Sequence, residues 1–592
     1  MNDRSDANCI GDANLRFARA LVGELHVAGV AAAFVCPGAR STPLAFAIAE
    51  REGLRHSVHV DERSAAFQAL GFAKASGRPA LLLCTSGTAG ANFLPAVAEA
   101  HRSRVPLVVL TADRPPELRA WGAAQTMEQR TLYAGFTRWS EEAPCPSERS
   151  VAISYASALG RRAVCEATGP APGPVHLNLP FREPLLPASI AAAVAGVDAA
   201  RPQPFVSQHA EYPLADLDGL ARELRGIERG VLVFGPDSWD PMLGDAVHAL
   251  ATALDWPVLA DPASGLRAGG PQAGSIIHGA DLLLRDATVA AALAPQLIVR
   301  CGGQPTSAAT TTWMARHAAA DVWLVDPANG FRDPQHRATR TFRTSARQFC
   351  SQLSKAAAGA AVRAGEWRSR WQQADRVARA GAVATCDAER TFLTPHLARA
   401  IWAGLPDGAA LYAANSMVIR DVDAFADNRA ARLRLLANRG VNGIDGMVSS
   451  ALGAAAALGR PTVLWCGDLA LLHDVSGLLA GTMQEADLTI VVSNDDGGGI
   501  FEYLPAARTL PRPIFEHMFA VPHGLDLCGL ARGLGWQAVR VESEAAFSRE
   551  LAQALAGGRR VIEVPVDRAA NTAFHATVNA AVSARLRQEW SA

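Results

Sequence analysis

Short runs of apolar residues alternate with helical patterns along almost the whole chain. Near the N-terminus, such runs lie in AAFVCPGAR, RHSVHV, PALLLCTSG and PLVVLTAD, with helical segments between them. Apolar runs of strand length that alternate with helices are typical of a parallel sheet covered on both faces. The pattern therefore predicts an α/β fold whose strand-to-strand crossovers are right-handed.

The same rhythm returns twice further along the chain. The second block has candidate strands in GVLVFGPDS, PVLADPASG, PQLIVRCGG and DVWLVDP, and the third in ALYAANS, RLRLLANRG, TVLWCGD, LTIVVSND, WQAVRV and RRVIEVPVD. We expect three doubly wound parallel-sheet domains of ordinary size, at 1–188, 203–355 and 390–592. The Ala-rich stretch 189–202 is predicted to be a linker, and the segment 345–381, rich in Arg, Gln and Ala, an exposed connecting helix.

Composition narrows the class of protein. The 592 residues include 57 acidic and 56 basic side chains, for a net charge of −1, whereas a nucleic-acid-binding protein usually has a basic excess. Only Lys74 and Lys355 are lysines, so the other 54 of the 56 basic residues are arginines. Because arginine is so frequent, any single arginine is expected to be an ordinary surface charge. The polar N-terminus lacks the apolar core of a secretory signal, and no apolar run is long enough to span a bilayer. The ten cysteines have no metal-binding spacing, and we expect a cytoplasmic protein.

Two acidic residues follow strands of the third block. Asp468 ends TVLWCGD and Asp495 ends TIVVSND, 27 residues later, which is the length of one helix plus one strand. In a parallel sheet both carboxylates then lie at the carboxyl edge, where open α/β sheets bind ligands. Two carboxylates repel unless a cation lies between them, and Mg²⁺ prefers carboxylate and phosphate oxygens. We interpret the pair as a site for Mg²⁺ and a diphosphate, although each turn alone would be ordinary after a strand.

A third carboxylate belongs to the same hypothesis. The spacing of Asp468 and Asp495 is similar to the signature of enzymes that bind thiamine diphosphate (ThDP), a Gly-Asp followed by an Asn-rich turn. These enzymes need a glutamate that hydrogen-bonds the pyrimidine ring of the cofactor and promotes its activation. Glu62 is the candidate, because it follows RHSVHV directly and opens a helix. The alternative is a first-turn acid favoured by the helix dipole, beside Asp61 as N-cap.

Six further motifs identify a family. They are CPGARSTPL at 36–44, DER at 61–63, TSGTA at 85–89, LTADRPPEL at 110–118, NRGVNGIDG at 438–446 and GGGIF at 497–501. Together they resemble the 2-succinyl-5-enolpyruvyl-6-hydroxy-3-cyclohexene-1-carboxylate (SEPHCHC) synthases, ThDP-dependent transferases of menaquinone biosynthesis. The motifs extend from about residue 36 to 505, and the three-block architecture covers the whole chain.

The resemblance implies a reaction and an assembly. 2-Oxoglutarate is decarboxylated, and the resulting succinic semialdehyde carbanion adds in 1,4 fashion to isochorismate, whose enolpyruvyl group is retained. The implied cofactors are ThDP and Mg²⁺ or Mn²⁺. The family implies a pyrimidine-binding domain at 1–188, a central domain at 203–355 and a diphosphate-binding domain at 390–592. It also implies a homodimer or dimer of dimers, in which Glu62 of one subunit meets the diphosphate-binding domain of another.

The site residues carried over by resemblance form three groups. Glu62 is the catalytic residue, and those near the cofactor are Glu62, Thr85, Ser416, Ile444, Asp445, Gly467, Leu469, Asn494 and Phe501. The metal ligands are Asp468, Asp495 and Gly497. The substrate contacts are Arg40, Arg114, Gln125, Ser416, Arg420, Arg439 and Phe501, an arginine set that suits two dicarboxylic substrates. For Ile444, which resembles the apolar residue beneath the cofactor, and for Phe501, core packing is the alternative.

Departures from the family pattern leave alternatives open. Ala39 replaces a serine, Leu469 a glycine and Asp495 the metal-site asparagine of many members, while 304–309 lacks a basic pair that some members offer to substrate. One rival is another ThDP-dependent decarboxylase or carboligase of the acetolactate synthase type, which would share Glu62 and the two aspartates but lack the arginine set. The other is a non-catalytic protein of the same fold, which would have lost Glu62 or the metal site.

Overall fold

The protein divides into two compact units that are described separately. The structure is a computed structural model that describes residues 2–190, 213–237, 239–267, 274–328, 330–357, 366–427, 429 and 432–590. The first unit comprises Met1–His209, Gly440–Gly459 and Asp474–Ala486, and the second comprises Ala210–Arg439, Arg460–His473 and Asp487–Ala592. The predicted linker at 189–202 lies, from residue 191 onward, outside the described residues.

The first unit contains a six-stranded parallel sheet. Its strands are β1 Ala32–Val35, β2 Arg55–Val58, β3 Ala80–Cys84, β4 Leu107–Asp113, β5 Trp139–Glu142 and β6 Pro174–Pro180, in the order β2-β1-β3-β4-β6-β5. The four predicted strands are confirmed. β5 and β6 were not predicted, because β5 is a short polar edge strand and β6 lies in a proline-rich stretch. The prolines of β6 stand at its two ends, where they interrupt the pairing least.

Helices cover both faces of this sheet. Among the described residues of this unit, the α-helices are Asn2–Ala28, Thr42–Ala49, Glu62–Ser76, Leu94–Ser103, Ser150–Ala167, Met447–Leu458 and Val475–Met483. One buried cluster joins the sheet to the first, second and fifth of these helices, and another joins it to the third and fourth. The apolar runs of the strands are therefore buried on two sides, as their continuous hydrophobicity predicted.

The second unit contains two parallel sheets. One has β7 Gly230–Phe234, β8 Val258–Ala260, β9 Leu297–Cys301, β10 Asp321–Val325 and β11 Arg340–Phe342, in the order β11-β10-β9-β7-β8. The other has β12 Ala410–Ala413, β13 Arg434–Leu436, β14 Thr462–Gly467, β15 Leu488–Asn494, β16 Gln537–Arg540 and β17 Arg559–Pro565, in the order β13-β12-β14-β15-β17-β16. All ten predicted strands are confirmed, and of the strands in the described part of the unit only the three-residue edge strand β11 was missed. The third sheet repeats the strand order of the first.

The helices of the second unit include a correction to the sequence analysis. Within its described ranges, the α-helices are Leu217–Arg225, Leu243–Leu254, Ala280–Leu283, Ala287–Ala292, Ala308–Arg316, Ala346–Ala357, Trp367–Ala388, Thr394–Gly404, Met417–Phe425, Asp468–His473, Ala506–Thr509, Arg512–Phe515, Leu527–Gly533, Glu544–Ala554 and Arg568–Glu589. The expectation of one exposed helix at 345–381 was wrong, because the described parts of this stretch lie in two helices with buried faces, while 358–365 lie outside the described residues. Trp371 is fully buried there, and its ring lies edge-on 5.3 Å from that of Trp313. Trp367 and Trp371, one turn apart, bury one face of the helix Trp367–Ala388 although its composition is polar. Among the described helices, none is both long and apolar enough to cross a membrane.

Candidate active site

The predicted acidic pair lies at the carboxyl edge of the third sheet. β14 and β15 are neighbours in parallel register, with Gly467 paired to Ser493, so that Asp468 and Asp495 follow the two strands at the same edge. The strand order reverses between β12 and β14, and open α/β sheets bind ligands at such a reversal. The structure therefore brings together the two carboxylates that the spacing predicted.

Asp468 is almost completely buried and is held by backbone amides. Its Oδ1 accepts a hydrogen bond from the Leu469 amide at 2.6 Å, and its Oδ2 accepts one from the Gly497 amide at 2.7 Å. The Nε2 atom of His523 lies 3.1 Å from the same Oδ2. Burial raises the pKa of Asp468, and the two amides and His523 oppose that rise. His523 was not among the predicted site residues.

Asp495 has the electrostatics of a carboxylate beside a second negative charge. Burial, and then the charge of Asp468, raise the pKa of Asp495 to about 8. A cavity of about 600 Å³ adjoins it, and His523, Arg512, Arg540 and Arg568 are among the lining residues. A divalent cation would relieve the repulsion between the carboxylates, and the basic side chains suit an anionic ligand.

The donor set fits a magnesium ion that completes its shell with ligand oxygens. In the described part of the chain, no group of three or more His, Cys, Asp or Glu residues could hold a metal ion by itself. Mg²⁺ is commonly held by one or two carboxylates together with phosphate oxygens and water. Asp468 and Asp495, with the backbone of Gly497, match that pattern, so the residues present fit a metal bound together with a diphosphate.

The turn after β15 has a backbone shape that requires glycine. Gly497 has φ of +132°, and a Cβ atom there would lie 2.0 Å from the carbonyl oxygen of Ala520. At the start of the turn, the Asn494 side chain donates to Glu563 Oε1 at 2.8 Å. Phe501 follows the turn, with its ring centroid 5.8 Å from that of Phe519. This predicted residue is only partly buried.

Three predicted substrate contacts, Ser416, Arg420 and Arg439, follow β12 and β13, two strands of the sheet that also carries the acidic pair. The guanidinium of Arg420 donates to the carbonyl oxygen of Ser416, and Arg439 Nη1 donates to Asn415 Oδ1 at 2.7 Å. Ser416 has φ of +66°, a strained conformation for a residue with a side chain. Burial, and then the charge of Arg439, lower the pKa of Arg420. Two partly buried like charges at this edge form a place for anionic groups.

A second pair of arginines lies at the carboxyl edge of the first sheet. Arg40 is buried and donates to the Phe181 carbonyl oxygen at 2.9 Å and to Glu183 Oε1 at 2.7 Å. Arg114 Nη1 donates to the Ser86 hydroxyl at 2.5 Å. Burial, and then the charge of Arg40, lower the pKa of Arg114.

Thr85 and Gln125 complete this group in the first unit. The Gln125 side chain donates to the Ser86 carbonyl oxygen at 3.1 Å, and Gln125 has φ of +57°. Thr85 packs closely against the backbone at Gly38, where an added Cβ atom would lie 2.3 Å from the Cβ atom of Thr85. The motifs CPGARSTPL, TSGTA and LTADRPPEL, far apart in sequence, thus meet at one edge of the sheet.

Glu62 is the first residue of its helix and is partly buried. Asp61 is the N-cap, since its carboxylate accepts hydrogen bonds from the amides of Arg63 and Ser64. Asp61 therefore fills the capping role, and the Glu62 side chain is left for another role. Burial raises the pKa of Glu62. Its negative charge contributes to raising the pKa of the buried Cys36 thiol, after burial itself.

Ile444 and Asp445 lie in the same unit as Glu62. Ile444 has 38% of its surface exposed, so core packing does not account for it within this unit. Asp445 organises its own turn, because its carbonyl oxygen accepts from the Asn442 side chain at 2.9 Å and its Oδ1 from the Gly443 amide at 3.3 Å.

The sequence analysis missed two residues that support the predicted site. His523 contacts Asp468 from a loop 55 residues further along the chain. Glu99 binds three backbone amides of the NRGVNGIDG motif from a helix more than 300 residues earlier. Neither has a local pattern that would distinguish it, because its partner is remote in sequence.

Comparison with known proteins gives a consistent family. The chain matches "Thiamine pyrophosphate enzyme, N-terminal TPP binding domain" at residues 15–132, "Middle domain of thiamine pyrophosphate" at 199–413 and "Thiamine pyrophosphate enzyme, C-terminal TPP binding domain" at 425–564.

Three relatives match over nearly their full length, and each bears the name 2-succinyl-5-enolpyruvyl-6-hydroxy-3-cyclohexene-1-carboxylate synthase. The protein of Myxococcus xanthus is 43% identical, over 98% of this chain and 99% of its own. That of Geobacillus kaustophilus is 43% identical, over 96% and 97%. That of Halobacterium salinarum is 42% identical, over 94% and 96%.

Proposed function

Because this chain belongs to the family of SEPHCHC synthases, we propose that it joins 2-oxoglutarate to isochorismate with release of CO₂ and formation of SEPHCHC. The observation that carries the proposal is the pair of carboxylates, the buried Asp468 and the partly buried Asp495, at the ends of two neighbouring strands. Together with Glu62 they form the acidic set that a ThDP enzyme needs. The enzyme is then a transferase of menaquinone biosynthesis.

The cofactors of the proposed enzyme are ThDP and Mg²⁺ or Mn²⁺. Asp468, Asp495 and Gly497 would hold the metal ion. The residues proposed to lie near the cofactor are Glu62, Thr85, Ser416, Ile444, Asp445, Gly467, Leu469, Asn494 and Phe501. When bound, ThDP supplies the nucleophilic carbon and the electron sink that decarboxylation of a 2-oxo acid requires.

Glu62 is the proposed catalytic residue, and its task is to hold a proton at a ring nitrogen of the cofactor. Its environment supports this role, because burial raises the pKa of Glu62 and so favours the protonated form that can donate a hydrogen bond. The N-cap carboxylate of Asp61 is engaged by two amides, so that the neighbouring acid does not compete for the task.

The arginines are proposed to bind the four carboxylates of the two substrates. Arg40 and Arg114 belong to one group, with Gln125, and Arg420 and Arg439 to the other. In each group a lowered arginine pKa reflects burial and a second positive charge nearby. An anionic substrate would relieve that repulsion, and a guanidinium can bind a carboxylate through two hydrogen bonds. Ser416 and Phe501 are proposed to line the substrate site.

The proposal extends to assembly and location. We propose a cytoplasmic homodimer or dimer of dimers, in which Glu62 of one subunit and the acidic pair of another serve one cofactor. The domain roles are then pyrimidine binding at 1–188, a central domain at 203–355 and diphosphate binding at 390–592. The family membership supports these proposals.

The proposed activity is tested with purified protein, ThDP and Mg²⁺. We expect release of CO₂ from 2-oxoglutarate, and we expect SEPHCHC to form only when isochorismate is also present. Chromatography and mass spectrometry measure the product. Pyruvate in place of 2-oxoglutarate is the control, because it lacks the second carboxylate that the arginines would bind. Consumption of pyruvate with neglect of 2-oxoglutarate would contradict the proposal and favour an enzyme of the acetolactate synthase type.

A further inference from the structure

A fully buried glutamate binds the loop that precedes the helix Met447–Leu458. Glu99 lies in the helix Leu94–Ser103 and has no exposed surface. Its Oε1 accepts from the Gly440 amide at 2.9 Å, and its Oε2 accepts from the amides of Val441 at 2.6 Å and Asn442 at 3.0 Å. Three successive backbone N–H groups thus converge on one carboxylate, as in an anion-binding nest.

Two side chains complete the surroundings of this carboxylate. The Ser103 hydroxyl donates to Glu99 Oε1 at 2.6 Å, and Lys74 Nζ lies 3.7 Å from the same oxygen. Burial alone would raise the pKa of Glu99, but Lys74, Ser103 and the amides of Gly440 and Val441 outweigh it and lower the pKa. Glu99 is therefore a buried anion whose desolvation is compensated by donors on both oxygens.

The loop is shaped to receive the carboxylate. A Cβ atom at Gly440 would lie 2.6 Å from Glu99 Oε2, so no larger residue fits there without displacing the carboxylate. The bound segment continues into the next turn, where the side chain of Asn442 donates to the carbonyl oxygen of Asp445 at 2.9 Å. A chain of hydrogen bonds thus runs from Glu99 through Asn442 to Asp445, with the exposed Ile444 between them.

We propose that Glu99 is a positioning residue that holds the loop 440–446 in the conformation that presents Ile444 and Asp445 to the cofactor. This inference rests on the proposed function for the identity of the ligand. Without the carboxylate, three buried amides would lose their acceptor, and the loop would have to rearrange to satisfy them. Glu99 itself has no contact with substrate in this scheme and acts through the loop.

The inference is tested by direct binding of ThDP to the full-length protein in the presence of Mg²⁺, by titration calorimetry. In the variant Glu99→Gln we expect the Kd for ThDP to rise roughly ten-fold or more, the loss of about one strong hydrogen bond. The matched control is Glu24→Gln, because Glu24 is also a buried helical glutamate of the first unit, paired with Arg161 at 3.0 Å but not with the loop. We expect the control to bind ThDP within two-fold of the wild type.

A second variant protects the test against misfolding. Gly440→Ala keeps the charge of Glu99 but places a Cβ against it, and we expect the same direction of change in Kd. An unchanged Kd in a folded Glu99→Gln protein, or an equal rise in Glu24→Gln, would overturn the inference alone. A wild-type protein that binds ThDP without forming SEPHCHC would overturn only the proposed reaction. A wild-type protein that binds no ThDP would overturn both.

Discussion

Single carboxylates carry the proposed chemistry, and their surroundings decide what each can do. Burial raises the pKa of Glu62, Asp468 and Asp495, but the three differ in their partners. Two backbone amides and His523 contact the Asp468 carboxylate. For Asp495, the nearby charge of Asp468 adds to the effect of burial and raises the pKa further. Glu62 stands beside an N-cap that already satisfies the amides of the helix, so its side chain can serve a ligand.

The variant Glu62→Gln tests the role of this side chain. Glutamine keeps the size of the side chain but cannot exchange a proton, so we expect turnover to fall about 100-fold or more, the lower end for general acid–base catalysis. ThDP should still bind, as measured by calorimetry. The control is Glu50→Gln, since Glu50 is a surface residue paired with Arg19. Turnover close to that of the wild type would remove Glu62 from the mechanism.

At the scale of elements, two helices of the first unit pack through glycines. The helices Glu62–Ser76 and Met447–Leu458 approach so closely that a Cβ at Gly71 would lie 1.8 Å from the Ser450 carbonyl oxygen. A Cβ at Gly453 would lie 1.9 Å from the Gln68 carbonyl oxygen. The hydroxyls of Ser64 and Ser449 join the same two helices at 2.8 Å. The helix that begins with Glu62 is thus held against the one that follows Asp445.

Substitution of these glycines tests the helix contact. Gly71→Ala forces the two backbones apart, and we expect it to lower the free energy of unfolding by about 1–3 kcal/mol. The control is Gly23→Ala in the helix Asn2–Ala28, where a Cβ would meet nothing within 4 Å. There we expect a gain of about 0.5–1 kcal/mol, because alanine favours the helix. Denaturant titrations of both variants measure the difference, and equal effects would contradict close packing at Gly71.

At the scale of the whole molecule, burial of polar groups links stability to pH. Burial lowers the pKa of His176 to about 3 and that of His59 to about 4. It raises the pKa of Asp474 to about 7. The histidines bind more protons in the unfolded state, so their contribution to stability falls as the pH drops below their unfolded pKa of about 6.5. The aspartate has the opposite sign, so its contribution is lost as the pH rises.

The contribution of one histidine can be isolated by a variant. In His176→Gln, this position no longer loses stability as the pH falls. The loss of stability at His59 and the gain of stability at Asp474 on acidification remain. Relative to the wild type, we expect the variant to become more stable by about 1.4 kcal/mol for each pH unit below about 6.5, down to pH 5. Above pH 7 the difference between the two proteins should be constant. Denaturant unfolding between pH 5 and 8 measures it, and parallel curves throughout would show that His176 titrates normally.

Prediction from sequence succeeded where a signal is local. The fourteen apolar runs predicted to be strands are strands, whereas β5, β6 and β11 were missed. β5 and β11 are edge strands, with a single neighbour each and too few residues for a period. The site residues at strand ends, such as Asp468 and Asp495, were placed together because strand and helix lengths decide which edge they reach. Glu99 and His523 were missed because their partners lie on distant segments.

By itself, the sequence determined the α/β class, the three parallel sheets and the edge at which the two acidic residues emerge. Hydrophobic period and the spacing of successive strands are local quantities, and they are enough for these conclusions. The tertiary structure decided the repeated strand order, the packing of Met447–Leu458 on Glu62–Ser76 and the enclosure of Glu99 by three amides. It also decided the direction of each pKa shift, because burial and neighbouring charge depend on which distant segments meet.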